Sequence, residues 1–159
     1  MIGMSLLPLF QWCENSGLMV AMRSSLWLFP VIESVHLMGL ALTGCAVLMV
    51  DLRLLGFGFR RQPAAVVARD AQRWMFVSLA VMLPTGFLMF MSTAVKCYHL
   101  TAFWVKMASL AAALVFTFAV RQRVVMNAGV NPVWTRLIAV VSLSLWSTVA
   151  IAGRFIGFP

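Results

Sequence analysis

Charged residues are scarce in this sequence. They make up 10% of its 159 residues, whereas apolar residues make up 63%; soluble domains have roughly 25% charged and about 45–50% apolar residues. A water-soluble chain of this length could not bury so much apolar surface, because too few polar side chains remain to cover it. The composition excludes a soluble globular domain and favours an integral membrane protein.

The motifs of common soluble enzymes are also missing. The chain contains no glycine-rich phosphate loop, no nucleophile elbow and no paired metalloprotease histidines. Its three cysteines, Cys13, Cys45 and Cys97, lack the spacing of a metal site. The net charge of +8 does not indicate nucleic-acid binding, because the arginines lie between apolar runs, as is usual at membrane boundaries.

Four long apolar stretches are present instead. Each meets or approaches the ~20 residues that a helix needs to cross a hydrocarbon core ~30 Å thick. Backbone amides in lipid must be paired within their own segment, so all four are predicted to be helices, kinked at Pro30 and Pro84. The predicted fold is a single all-α membrane domain, a four-helix bundle over residues 1–159, with spans at about Ser25–Val50, Trp74–Ala94, Ala102–Val120 and Trp134–Phe158.

The first 23 residues precede these spans. They lack the basic leading region of a secretory signal peptide and include Glu14, Asn15 and Gly17 among short apolar runs. We expect a retained segment that forms a short helix in the membrane interface. A frayed tail is the open alternative.

The basic residues are distributed unevenly around the four spans. Most lie between the first and second spans or around the connection between the third and fourth: Arg53, Arg60, Arg61, Arg69, Arg73, Arg121, Arg123 and Arg136. Only Arg23 and Lys96 flank the other side. The positive-inside rule therefore predicts a bacterial inner-membrane protein with both termini on the periplasmic side.

Five ionisable residues in or beside the spans have no explanation as lipid-facing or boundary residues: Glu33, His36, Asp51, Lys106 and Arg154. A charge at the bilayer centre costs about 2.5–3.5 kcal/mol even on a lenient scale, so such groups normally face the bundle interior. Helical projection places Glu33, His36 and Asp51 on one face of the first span, which is predicted to point inward. All but Asp51, which lies at the cytoplasmic end, are predicted to share the outer half of the bundle.

This outer cluster has two interpretations. In one, Glu33 pairs with Lys106 or Arg154 in a structural salt-bridge network. In the other, His36 is a metal ligand that binds haem iron, while Lys106 and Arg154 neutralise the propionates. His99 is then a candidate second ligand or a solvated loop residue, and five-coordinate iron or a methionine partner also stays open.

Two further predictions concern the methionine and cysteine residues. The twelve methionines are scattered through the spans, which is typical of gap-filling, so copper binding is the less favoured metal prediction. Cys45 is expected to pack within the first span. Cys13 and Cys97 both fall on the predicted outer side, where oxidation is allowed, and a disulfide between them is a hypothesis.

Three segments also carry a family resemblance: SLWLFPVIESVHLMGLALTGCAVLMVDLRLLGFG, YHLTAFWVKM and SLSLWSTVAIAGRFIGF. They resemble an uncharacterised bacterial family of small four-helix membrane proteins. More distantly, the histidine and LRL-type end of the first helix and the early lysine of the third are similar to small haem-b membrane proteins. Those proteins include membrane-bound protoporphyrinogen oxidase and copper-resistance or cytochrome b561-like bundles. The resemblance implies a ligand role for His36 and a position near a porphyrin for Lys106.

The functional prediction is a membrane subunit that binds haem b, or a similar redox cofactor, at a site comprising His36, Lys106, Arg154, Glu33 and His99. It is expected to transfer electrons or to anchor a periplasmic or membrane redox partner, within the lipid bilayer and as part of an oligomer or complex. One alternative is a cofactor-free structural subunit of a larger membrane complex. Another is a small transporter or proton pathway that uses Glu33, His36 and Asp51.

Overall fold

The structure is a computed structural model that describes residues 7–57, 62–127 and 131–157. The predictions for residues 1–6, Arg60, Arg61 and Phe158 lie outside these ranges. Every regular element in the described ranges is a helix, which confirms the predicted all-α class. The elements are α1 (Leu7–Glu14), α2 (Gly17–Ser24), α3 (Leu28–Leu55), α4 (Ala64–Ser92), α5 (Ala94–His99), α6 (Thr101–Val115), a π-helix (Phe116–Arg121), α7 (Gln122–Met126) and α8 (Pro132–Gly157).

Four of these helices are long and apolar enough to cross a membrane. They are α3, α4, α8 and the continuous helix Thr101–Met126, which comprises α6, the π-helix and α7. The chain is therefore a multi-pass helical membrane protein. The helix of the second span begins at Ala64 rather than at Trp74, because backbone hydrogen bonding continues through the polar residues around Arg69 after the hydropathy has fallen.

Both prolines lie inside helices. Pro30 is the third residue of α3, where a backbone N–H would have no partner within the helix. Pro84 lies deep in α4, and the helix continues past it to Ser92. Neither proline ends its helix, as the sequence predicts.

The long helices pack around α3 and α8. Helix α3 lies along α4 and also contacts α8, while α8 pairs with α6. Their main core contains Val47, Val50 and Leu54 of α3. We call the end of the bundle near Leu55 and Met126 the arginine end, and the opposite end, where α1 and the last turn of α8 lie, the termini end.

A second, smaller core closes the termini end. It is formed by Phe10 of α1, Ala94 and Cys97 of α5, and Phe103 of α6. The Phe10 ring meets the Phe90 ring edge to face, with 5.4 Å between centroids. The N-terminal segment is thus two short helices, of which α1 is docked on α5; its location in a membrane interface stays a prediction.

Glu14 ties this docked segment together. Its Oε1 accepts a hydrogen bond from Arg23 Nη1 at 2.8 Å, and its Oε2 accepts one from the backbone N–H of Val95 at 2.8 Å. The carboxylate therefore links α1 to α2 and also satisfies a free N–H in the first turn of α5.

The cysteines lie in three different environments. Cys97 is buried, Cys13 is partly buried against the same small core, and both are free thiols. Cys45 is exposed on α3, so the expectation that it packs within the bundle is wrong. The buried neighbours Ala46 and Val47 occupy the core-facing side of α3 at that level and turn Cys45 outward.

Candidate functional site

His36 is held between α3 and α4 by its Nδ1 atom. This nitrogen lies 3.1 Å from the Met82 carbonyl oxygen and 3.0 Å from the Thr85 hydroxyl. The Thr85 hydroxyl directs its own proton to the Val81 carbonyl at 2.7 Å and therefore has a lone pair free to accept. With two acceptors beside it, Nδ1 carries the proton, and Nε2 of the neutral imidazole keeps its lone pair.

Gly86 makes room for this imidazole. A Cβ at position 86 would lie 2.9 Å from His36 Cε1, closer than real carbon contacts allow. The ring therefore packs directly against the backbone of α4, one helical turn beyond Met82. A glycine on one helix and a histidine on the next form a matched pair across the α3–α4 interface.

Lys106 belongs to α6, across the bundle from α3, and is close enough to His36 to act on it electrostatically. It is partly buried on α6, and its stem crosses α8 at Gly153, where a Cβ would be 3.6 Å from both Cε and Nζ of the lysine. Lys106 and Glu33 both interact electrostatically with His36. Three residues of the predicted outer cluster are thus brought into one electrostatic neighbourhood.

The other predicted site residues lie further out. Glu33 and Arg154 are exposed at the termini end, so the inward orientation predicted for Glu33 is wrong. The buried face of α3 starts only at Gly39, because the first turns of α3 extend beyond its close packing with the neighbouring helices. At such a position a charged group reaches the membrane boundary without crossing apolar core.

His99 lies at the C-terminal end of α5, outside the long helices. It is exposed, and its ring meets the Tyr98 ring edge to face at 5.1 Å. No hydrogen bond or ring contact joins His99 to His36 in the described part of the chain. Of the two interpretations of His99, its position favours the solvated residue.

A buried ion pair at the arginine end was missed by sequence reasoning. Asp51 of α3 accepts a hydrogen bond from Nη1 of Arg121 at 3.0 Å, and both residues are buried, at 0% and 4% exposure. Ser142 of α8 lies 3.5 Å from the same Nη1. The sequence assigns Arg121 to a basic loop and Asp51 to the neighbourhood of Arg53. The need of a buried carboxylate for a counter-ion on a facing helix is the signal that could have revealed the pair.

Hydroxyl, indole and amide groups form further links between helices. Thr43 donates to Ser78 at 2.8 Å, and Gln122 donates to Gln72 at 2.8 Å. The indole N–H of Trp146 donates to Thr117 Oγ1 at 3.1 Å. These links satisfy buried polar groups of the bundle and join its helices without any charge.

The ligand set limits what metal chemistry is available. In the described residues, no group of three or more His, Cys, Asp or Glu side chains could hold a metal ion. A bare zinc or copper ion normally takes three or four protein ligands. A metal bound at His36 would therefore need its other ligands from methionine thioethers or from a non-protein group such as a porphyrin.

An apolar groove lies on the surface of the bundle. It has a volume of about 270 Å³ and lies between α6 and α8. Its lining consists of Ala102, Val105, Thr148, Ile151, Ala152 and Phe155. An apolar cofactor edge or a lipid chain is the kind of group that such a surface accepts.

These features define a multi-pass helical membrane protein with one polar centre in each half of the bundle. Residues 9–159 match the model of a family of unknown function, DUF6644, and the chain belongs to that family. No curated protein and no solved structure matches it. The family assignment agrees with the predicted uncharacterised family, while the distant likeness to haem-b proteins stays a prediction.

Proposed function

We propose that this protein is a membrane subunit that binds haem b through His36. The observation that carries the proposal is the pair of acceptors on His36 Nδ1, Met82 O and Thr85 Oγ1. Histidines that bind metals typically donate their second ring N–H to a carbonyl or a similar acceptor, which fixes the tautomer and the ring orientation. His36 has this arrangement, and its Nε2 lone pair is the one available to iron.

The surrounding charges fit an anionic cofactor. Lys106 acts electrostatically on His36, and Arg154 lies at the termini end, so these two residues would offset the propionate charges. A partly buried lysine is costly in a membrane, and an anionic ligand would reduce that cost. Haem would supply one-electron chemistry, and the protein would supply the ligand, the charge balance and an apolar surrounding.

His36 would then be the sole histidine ligand. His99 lies on α5 and contacts Tyr98, which argues against a bis-histidine site within one chain. The proposed role is therefore an electron-transfer or anchoring subunit that works with a periplasmic or membrane redox partner.

An absorption spectrum of the protein purified from haem-replete cells tests the proposal. We expect a Soret band and α/β bands that change on reduction with dithionite. His36→Ala should remove these bands, whereas His99→Ala, the matched histidine control, should keep them. Protein that is folded but colourless would overturn the haem proposal and support the alternative, a cofactor-free structural subunit.

A glycine pair tests the position of the ring without removing the ligand. Gly86→Ala places a Cβ 2.9 Å from His36 Cε1, whereas Gly44→Ala on α3 meets nothing within 4 Å. We expect Gly86→Ala to lower haem content or shift the Soret band, and Gly44→Ala to do neither. Equal spectra for both variants would show that His36 does not hold the cofactor at this place.

A further inference from the structure

The Asp51–Arg121 pair at the arginine end leaves two charged atoms without partners. Asp51 uses Oδ1 and Arg121 uses Nη1, while Asp51 Oδ2 and Arg121 Nε are buried and find no hydrogen-bond partner among the described residues. Ser142 also lies next to the Asp51 carboxylate but does not reach Oδ2 in hydrogen-bonding geometry. The same buried centre thus contains one hydrogen-bond acceptor and one donor that have no partner among the described residues.

Such open atoms are unfavourable in a membrane-embedded core. A buried carboxylate oxygen or guanidinium N–H without a partner loses its hydration and gains nothing in return. Native structures satisfy nearly all such groups, with protein atoms or with ordered water. A ligand that serves both atoms must donate one hydrogen bond and accept another.

The backbone indicates that this centre is built rather than accidental. Arg121 is the last residue of the π-helix, whose hydrogen bonds span five residues and widen the turn. This widening keeps residues spaced by four, Ala113, Thr117, Arg121 and Val125, on the buried side of one helix. In a regular α-helix, each residue of this row would be rotated by about 40° about the helix axis relative to the residue four positions before it, so the row would turn away from the core.

We propose that the Asp51–Arg121–Ser142 centre is a binding site for internal water. A water molecule donates a hydrogen bond to Asp51 Oδ2 and accepts one from Arg121 Nε, so it supplies the partner that each atom lacks. Buried polar sites of this kind are the ones that hold conserved waters. The arginine end then contains a hydrated carboxylate within the buried core of the bundle. This water site is separate from His36 and does not depend on haem binding.

Water-edited solid-state NMR on the ¹⁵N,¹³C-labelled protein in liposomes tests the proposal directly. The experiment measures how fast magnetisation passes from water to each side-chain nitrogen. The internal dry reference is Trp146 Nε1, which is buried and bonded to Thr117. Transfer to Arg121 Nε should be at least about threefold faster than to Trp146 Nε1, because a bound water lies in contact with it.

Two variants assign the signal. Arg121→Lys should delete the Nε peak in question, and Arg123→Lys, a neighbouring control, should leave it in place. If Arg121→Lys does not fold, the correlation between Arg121 side-chain nitrogens and the Asp51 carboxyl carbon assigns the peak in the unmodified protein. Transfer as slow as that of Trp146 Nε1, or a protein acceptor on Nε, would overturn the water site.

Discussion

Asp51 and Arg121 form an ion pair in which both side chains are buried. Each is a charge on a different membrane helix, and each is buried. Removing one partner leaves the other as an uncompensated charge, whereas replacing both with apolar residues removes the problem together with the interaction. Single and double substitutions should therefore differ in their effects on stability.

We predict that Asp51→Ala lowers the free energy of unfolding by about 3–5 kcal/mol, and that the double variant Asp51→Leu/Arg121→Met recovers most of the loss. The measurement is reversible unfolding in mixed micelles. Arg23→Ala serves as the control, because the Arg23–Glu14 pair is partly exposed and should contribute less than about 1 kcal/mol. A double variant as unstable as the single one would contradict the predicted dependence.

Cys97 shows how packing between two helices controls the reactivity of a side chain. Helix α1 covers α5 at the small core, where Cys97 is buried. Burial raises the pKa of the Cys97 thiol, and this outweighs the hydrogen bond with Thr93, which acts in the opposite direction. Since the thiolate is the reactive form, a raised pKa and a covered position both slow alkylation.

At pH 8 a water-soluble maleimide should modify Cys97 at least about tenfold more slowly than Cys13, and the difference should narrow as the pH rises above the usual thiol range. Mass spectrometry of the peptides reads out each site. Glu14→Gln, which weakens the attachment of α1 to α5, should accelerate the modification of Cys97. Asp70→Asn, an exposed acid on α4, should not.

A rate at Cys97 equal to that at Cys13 in the unmodified protein would show that α1 does not cover α5. A disulfide between the two would instead appear as loss of both sites from alkylation, restored by reductant. The two outcomes are separable because only the second responds to reduction.

The four long helices together form an asymmetric molecule. At the arginine end, Asp51 and Arg121 are buried and the helices of the bundle meet closely. At the termini end, Glu33 and Arg154 are exposed, and α1 and α5 cap part of the surface. Because the two ends differ, an experiment that labels each end separately can test the orientation predicted by the positive-inside rule.

We predict that the termini end faces the periplasm. In spheroplasts, a membrane-impermeant maleimide should label Asn15→Cys but not Gln62→Cys; both positions are exposed, at opposite ends of the bundle. After lysis both should be labelled, which shows that each position is reactive. Labelling of Gln62→Cys alone in spheroplasts would show that the protein has the opposite orientation to the predicted one.

Different parts of this molecule were predictable to different degrees. The helices were predictable because composition and run length decide them locally, as for α3 and α8. The proximity of His36 and Lys106 was partly predictable, because both residues were placed in the outer half of the bundle. The environment of Arg121 was not, because a basic residue near a span end has the same local pattern whether it lies in a loop or in the core.

The sequence by itself determined that the chain crosses a membrane as four helices, since in lipid only helices pair every backbone group within one apolar run. The tertiary structure alone decided which polar groups meet. Whether Glu33 turns outward, Thr85 fixes His36 or Arg121 reaches Asp51 depends on the rotation of each helix about its axis. That rotation is set by packing between segments far apart in sequence and by the π-helix, and no single span encodes it.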